Sequence, residues 1–141
     1  MDWTIELIVV PVSDIDRAKA FYMDQVGFKL EVDTSVGENF RVVQLTPPGS
    51  AASIALLKNP PMAPGSLKGL HLIVPDIEAA RKQLVEHGVE VSDFFHFDAG
   101  GQQTGPDPAR QNYNTFLSFD DPEGNGWLVQ EVNRAKAPAQ D

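Results

Sequence analysis

At 141 residues the chain is sized for one domain with a respectable core, or for two small modules sharing one. Its hydrophobic fraction of 42% argues for a folded protein, and no apolar run is long enough to span a bilayer. The formal net charge of -9 argues against nucleic acid and permits a cationic ligand, while the absence of cysteine excludes disulfides, thiolate metal sites and a cysteine nucleophile.

The opening stretch MDWTIELIVVPVSD lacks a basic leader and a small-residue cleavage site, so no signal peptide is read and a cytoplasmic location is expected. Thr4 to Val12 is apolar and β-branched, the pattern of a first strand. Ser13 or Asp14 then caps a helix over about Ile15 to Gln25, with Ile15, Ala18, Phe21 and Tyr22 on its buried face and Gly27 ending it. Strands come next at Phe28–Val32, Phe40–Thr46 and Ser53–Leu57, separated by turns at Gly37-Glu38-Asn39 and Pro47-Pro48-Gly49-Ser50. The proline-rich run Lys58 to Ser66 links this first module to the second half of the chain.

Leu70–Val74 is a strand stopped by Pro75-Asp76, and Asp76 has the chemistry of a cap for a helix over Ile77–His87. Strands are expected at Val89–Phe95, Tyr113–Phe119 and Trp127–Val132. The Gly- and Pro-rich insertion Asp98 to Gln111 is a candidate lid or a plain surface loop, and residues 135–141 form a flexible tail. The two halves repeat each other. Asp14, Ile15, Asp16, Ala18 and Lys19 are answered by Asp76, Ile77, Glu78, Ala80 and Arg81 at one offset of about sixty residues.

The repeated βαβββ order, the strand–V-x-D–helix opening seen twice, Phe21-Tyr22 to Gly27-Phe28 at the end of the first helix, and the turn Asp121-Pro122-Glu123-Gly124-Asn125 together resemble the vicinal oxygen chelate superfamily of glyoxalases, bleomycin-binding proteins and extradiol dioxygenases. The resemblance covers about residues 4–133. It implies an α+β fold in which two βαβββ modules, about 4–58 and 67–133, form one domain over 1–134 with a sheet curved into a cup, usually completed in a homodimer. It also implies a small-molecule ligand. It fixes the fold better than the function, since the scaffold hosts several chemistries.

Members that act on metal-chelated substrates carry ligands on the first and last strands of each module. The matching positions here are Leu7, Gly69 and Leu128, and Ser53–Leu57 offers neither Glu nor His, so no cofactor is expected. A displaced set of Glu6, His71 and Glu131 (or Gln130) converges if β-bulges shift the first and last strands by one residue, and it suits Zn, Ni, Mn or Fe. His71 lies on the strand face turned toward the cavity; it lines the pocket, hydrogen-bonds a ligand, or works with Glu131 or Glu6 as a metal-free acid–base pair.

His96 faces the cup or solvent at a strand end. Tyr113 and Trp127 stack on a planar or cationic ligand or belong to the core. Gln44 and Gln130 are further candidates for ligand hydrogen bonds. His87 is a helix-end residue favoured by the dipole. Two classes of function remain: a metal-free binding module, and a glyoxalase-like lyase or isomerase or a dioxygenase relative.

Overall fold

A computed structural model describes residues 1–133. The expected tail lies outside the described residues. The fold is α+β with two sheets. The chain divides into two compact units, the first holding Met1–Lys68 together with Asp121–Asn125, and the second holding Gly69–Asp120 and the stretch from Gly126 onward.

The first unit runs β1 (Leu7–Val9), α1 (Ile15–Ala20), β2 (Lys29–Val36), β3 (Phe40–Thr46) and β4 (Ser53–Leu57). Asp14 caps α1, its side chain accepting from Arg17 N. Past Ala20 the helix widens into a π-helical stretch, Phe21–Val26, and ends on Gly27 at φ 89°, a left-handed cap that glycine adopts without steric cost. The four residues expected on the buried face, Ile15, Ala18, Phe21 and Tyr22, are all buried. The sheet order is β1-β4-β3-β2, with β1 parallel to β4 and a bulge at Glu31, where Leu30 pairs Leu45 but Val32 pairs Gln44. Val43, Leu45, Ile54 and Leu56 share one face and supply the core.

The turn Asp121–Asn125 is built into this first unit. Asn125 is fully buried, donating to Pro11 O and Asp121 Oδ2 and accepting from Leu67 N. Tyr22 Oη donates to the same Asp121 carboxylate at 2.8 Å. Gly65, at φ 78°, lies so close to this turn that a Cβ there would sit 2.1 Å from Glu123 O.

The second unit runs β5 (Leu70–Val74), α2 (Ile77–Glu86), β6 (Phe95–Asp98), β7 (Gly101–Thr104), β8 (Phe116–Asp120) and β9 (Gly126–Glu131), in sheet order β5-β9-β8-β6-β7. Asp76 caps α2 as expected, accepting from Ala79 N. Three expectations are corrected here. Residues 89–94 are not a strand: Ser92 N donates to Ser118 O, but the return bond from Ser118 N goes to the Ser92 hydroxyl while Ser92 O accepts from Arg81 Nε, so no ladder forms. The insertion expected as a loop from Asp98 contributes a strand, β7, hairpinned to β6. Finally β8 begins at Phe116, because Arg110 and Tyr113 hold left-handed backbone at φ 48° and 71° and no ladder passes through them.

Candidate functional site

Register sorts the second sheet into two faces. Trp127 and Phe119 pair across β9 and β8, as do Val129 and Leu117, and these residues are buried. The opposite face carries His71 and Ile73 from β5, Leu128 and Gln130 from β9, and Phe116 from β8. Phe95 pairs with Phe116, so β6 adds Phe95 and Phe97 to it. The three phenylalanines form one cluster: Phe95 stacks on Phe116 with centroids 5.4 Å apart, and Phe97 meets Phe116 edge-on at 5.5 Å. Phe97 and Ile73 remain 45% and 49% exposed. Phe116 lies beneath them at 8% exposed, so the apolar part of this face open to solvent is Phe97 and Ile73, with the His71 imidazole and the Gln130 amide on the same face.

His71 is exposed, and its Nδ1 lies 2.7 Å from Gly69 O. A carbonyl only accepts, so in the neutral ring Nδ1 carries the hydrogen and Nε2 is the basic nitrogen. Gln130 Nε2 donates to Tyr113 O at 3.0 Å, and Tyr113 N donates to Glu131 O at 2.9 Å, which ties the loop bearing Tyr113 to β9. Asn114 clamps the same loop from its other end, bonding both the N–H and the carbonyl of Phe97 and continuing with a side chain the pairing that β8 lacks there. The ring of Tyr113 is exposed.

Glu131 points the other way. It is 5% exposed, accepts from Arg110 Nε at 3.1 Å and Arg110 Nη2 at 2.9 Å, and caps the start of α2 by accepting from Ile77 N at 3.1 Å. Arg110 also reaches Glu78, across a recess of about 280 Å³. His71 and Val74, the partner of Glu131, are three positions apart on β5, so His71 and Glu131 project from opposite faces and are not brought together. Trp127 is core, stacked on Phe119 with centroids 6.1 Å apart. His96 is buried on the side away from Phe95 and Phe97, its Nδ1 2.7 Å from Gly105 O. Near it, burial pushes the Asp107 carboxyl up, but the N–H groups of Gln111 and Ala109, the Asn114 side chain and the charge of His96 together bring it below its ordinary value.

In the first unit Gln44 Nε2 donates to Glu6 Oε2 at 3.1 Å. A groove of about 1060 Å³ opens on this unit beside Asp14, Asp16, Phe40, Arg41, Lys58 and Pro60. Its cations are committed: Arg41 pairs with Asp16 and Asp33, and Lys58 donates to Glu38 O. Hydrogen bonds from Arg41 first, then Lys19, hold Asp33 down to about 2.

Leu7, Gly69 and Leu128 offer no side-chain ligand at the register where related metalloenzymes carry one, and among the described residues no group of three or more His, Asp or Glu is gathered to hold a metal. No described helix is long and apolar enough to cross a membrane. Sequence reasoning missed Ile73, Phe95, Phe97 and Phe116. The signal was present in the alternation of Phe95-His96-Phe97, which places both rings on one face and the histidine on the other.

Two sheets, each fed by a strand–helix unit opening on an aspartate cap, define the class of this protein. The chain belongs to the Glyoxalase/Bleomycin resistance protein/Dioxygenase superfamily, whose family model matches residues 4–129. Among solved structures it is similar to TnmS3, an antibiotic binding protein from Streptomyces sp. CB03234, at 35% identity and a TM-score of 0.73 over 92% of this chain and 96% of that one. A glyoxalase/bleomycin resistance protein from the same organism is 36% identical with a TM-score of 0.69, covering 90% of this chain and 99% of that one. The uncharacterized protein YetH of Bacillus subtilis (strain 168) is 25% identical over 130 residues, 90% of this chain and 97% of YetH.

Proposed function

We propose that this protein binds a small, flat, largely apolar organic molecule on the open face of the second sheet, without a metal ion. The observation that carries the reading is the cluster of Phe95, Phe97 and Phe116, flanked by half-exposed Ile73. Aromatic faces left in water favour a ring system that stacks on them, and His71 and Gln130 give it polar contacts that fix its orientation. The likeness to an antibiotic binding protein supports this class of ligand. Within the same reading the protein acts in the cytoplasm as a homodimer.

The test is titration with a neutral polycyclic dye, Nile red, followed by its fluorescence. Binding near one dye per chain is expected, with Phe97→Ala weakening it tenfold or more and a metal chelator leaving it unchanged. Dye binding that is indifferent to Phe97→Ala would reject the site.

A second reading rests on the His71 tautomer. With Nδ1 held by Gly69 O, Nε2 is oriented to take a proton from a bound molecule, which suits metal-free acid–base catalysis by an isomerase or lyase. Under that reading His71→Ala abolishes turnover of a substrate while changing its affinity only modestly. Under pure binding, no turnover exists to lose.

A further inference from the structure

Two backbone carbonyls decide what the open face of the second sheet offers a ligand. Gly69 O lies 2.7 Å from His71 Nδ1, and Tyr113 O lies 3.0 Å from Gln130 Nε2. A carbonyl accepts and never donates, so each one holds the donor end of its partner. The neutral imidazole is left with a bare Nε2, and the Gln130 carboxamide with Oε1, to which no described residue donates. Both carbonyls belong to residues in left-handed backbone, Gly69 at φ 83° and Tyr113 at φ 71°. A tyrosine is seldom found there, and such backbone persists where its surroundings over-determine it. Here Tyr113 is fixed by its N–H on Glu131 O and by the grip of Asn114 on Phe97.

Register sets the spacing of the two acceptors. His71 stands opposite Leu128 and Gln130 opposite Ile73, so they lie on neighbouring strands two residues apart. Strand rise and strand spacing put their Cα atoms about 8 Å apart. Leu128 and Ile73 fill the other two corners of this patch, and Phe116 flanks Gln130 on its far side. Ser118, beside Leu128, carries a hydroxyl that donates or accepts and so leaves the balance unchanged. The two polar groups fixed in orientation both accept, around an apolar bed.

We infer that the molecule bound here is an aromatic hydrogen-bond donor, with phenolic O–H or aryl N–H groups at separated positions of a fused ring system. The site discriminates against the same rings bearing carbonyl or ether oxygens. This rests on the ligand reading above and names the ligand's class. A donor satisfies Nε2 or Oε1 directly. A quinone or aryl ether sets lone pairs against them, strips their water and returns no bond. A site built to bond a donor rejects the analogue that lacks it far more strongly than an apolar pocket rejects a change of size.

The test compares 2,6-dihydroxynaphthalene with 2,6-dimethoxynaphthalene, one ring system with and without donors, by titration at pH 8. The wild type should bind the diol about tenfold tighter or more. His71→Lys replaces an acceptor by a donor and Gln130→Met removes one; each should shrink that ratio to within about threefold of unity. Long-range proton–nitrogen NMR, with His71 assigned from the His71→Lys spectrum, should find its ring hydrogen on Nδ1 and a shift of Nε2 when the diol is added. Equal affinity for the two naphthalenes, a ratio that survives both substitutions, or a ring hydrogen on Nε2 would overturn the donor class. Nile red, which has no O–H or N–H, separates that failure from failure of the site. If the dye binds through Phe97 while diol and diether do not differ, the face stands and the donor class falls. If neither dye nor diol binds, both fall.

Discussion

Replacing Glu123 by glutamine removes one charge and one acceptor at the start of α1. The carboxylate accepts from Ser13 N at 2.7 and 2.8 Å, from Ser13 Oγ at 2.8 Å and from Asp14 N at 2.8 Å. Glutamine keeps one acceptor oxygen and turns an NH₂ toward a backbone N–H, so one donor loses its partner. Hydrogen bonds to a charged acceptor are worth about 1.5–3 kcal/mol, and a negative charge at a helix start adds about 0.3–1. Ser13 and Asp14 are exposed, so water recovers part of this, and a loss of about 2 kcal/mol at pH 7 is expected.

The pH dependence gives an independent check. Burial pushes the Glu123 carboxyl up, but the donors from Asp14 and Ser13 and the charge of Arg17 outweigh it and set the group below its ordinary value. A depressed carboxyl binds fewer protons folded than unfolded. Its contribution is therefore complete above the unfolded value of about 4.3 and is lost as pH falls through the lower folded one. Urea unfolding followed by circular dichroism, at pH 7 and in steps to about pH 3, measures both effects, since the other carboxylates are common to the two proteins and cancel in the difference. A difference below about 0.5 kcal/mol at pH 7, or one that persists undiminished at pH 3, would refute the reasoning.

Gly65→Ala places a Cβ 2.1 Å from Glu123 O on a backbone at φ 78°; a loss above about 3 kcal/mol is expected by urea unfolding, and a near-neutral result would mean the turn relaxes freely. Glu131→Ala strips the carboxylate from Arg110 and from the Ile77 N–H; with Arg110 34% exposed, about 3 kcal/mol is expected from the drop in thermal midpoint. Arg41→Met removes the first of the groups holding Asp33 at about 2, so carboxyl NMR should find Asp33 titrating closer to the ordinary range, while Lys19 keeps it from returning fully.

Much of the fold was legible because its local signals agree. Asp14 and Asp76 announce both helices, Gly27 ends the first, and the strands at Phe40–Thr46, Ser53–Leu57 and Leu70–Val74 fall where alternation and turn residues put them. Residues 89–94 misled because their apolar pattern is satisfied by burial of Val89, while Ser92 makes one backbone bond to Ser118 and takes the return bond on its hydroxyl, which composition does not reveal. At the site, strand parity separated Gln130 from Glu131. Nothing local, however, told that Arg110, twenty-one residues away, would bind Glu131 on the far face. Trp127 was ambiguous for a related reason: tryptophan suits a ligand wall and a core equally, and only its stacking on Phe119 decides.

The turn Asp121–Asn125 has a consequence for synthesis. Asn125 bonds Pro11 across 114 residues and Glu123 bonds Ser13 across 110, so the first unit is completed by residues that leave the ribosome long after its first strand. Until then Pro11 O and the Ser13 and Asp14 N–H groups lack these partners. Such distant closures are entropically slow to form. The early half of the chain must wait for the late half, and a premature stop before residue 121 would yield a polypeptide without either closure, open to aggregation and chaperone capture.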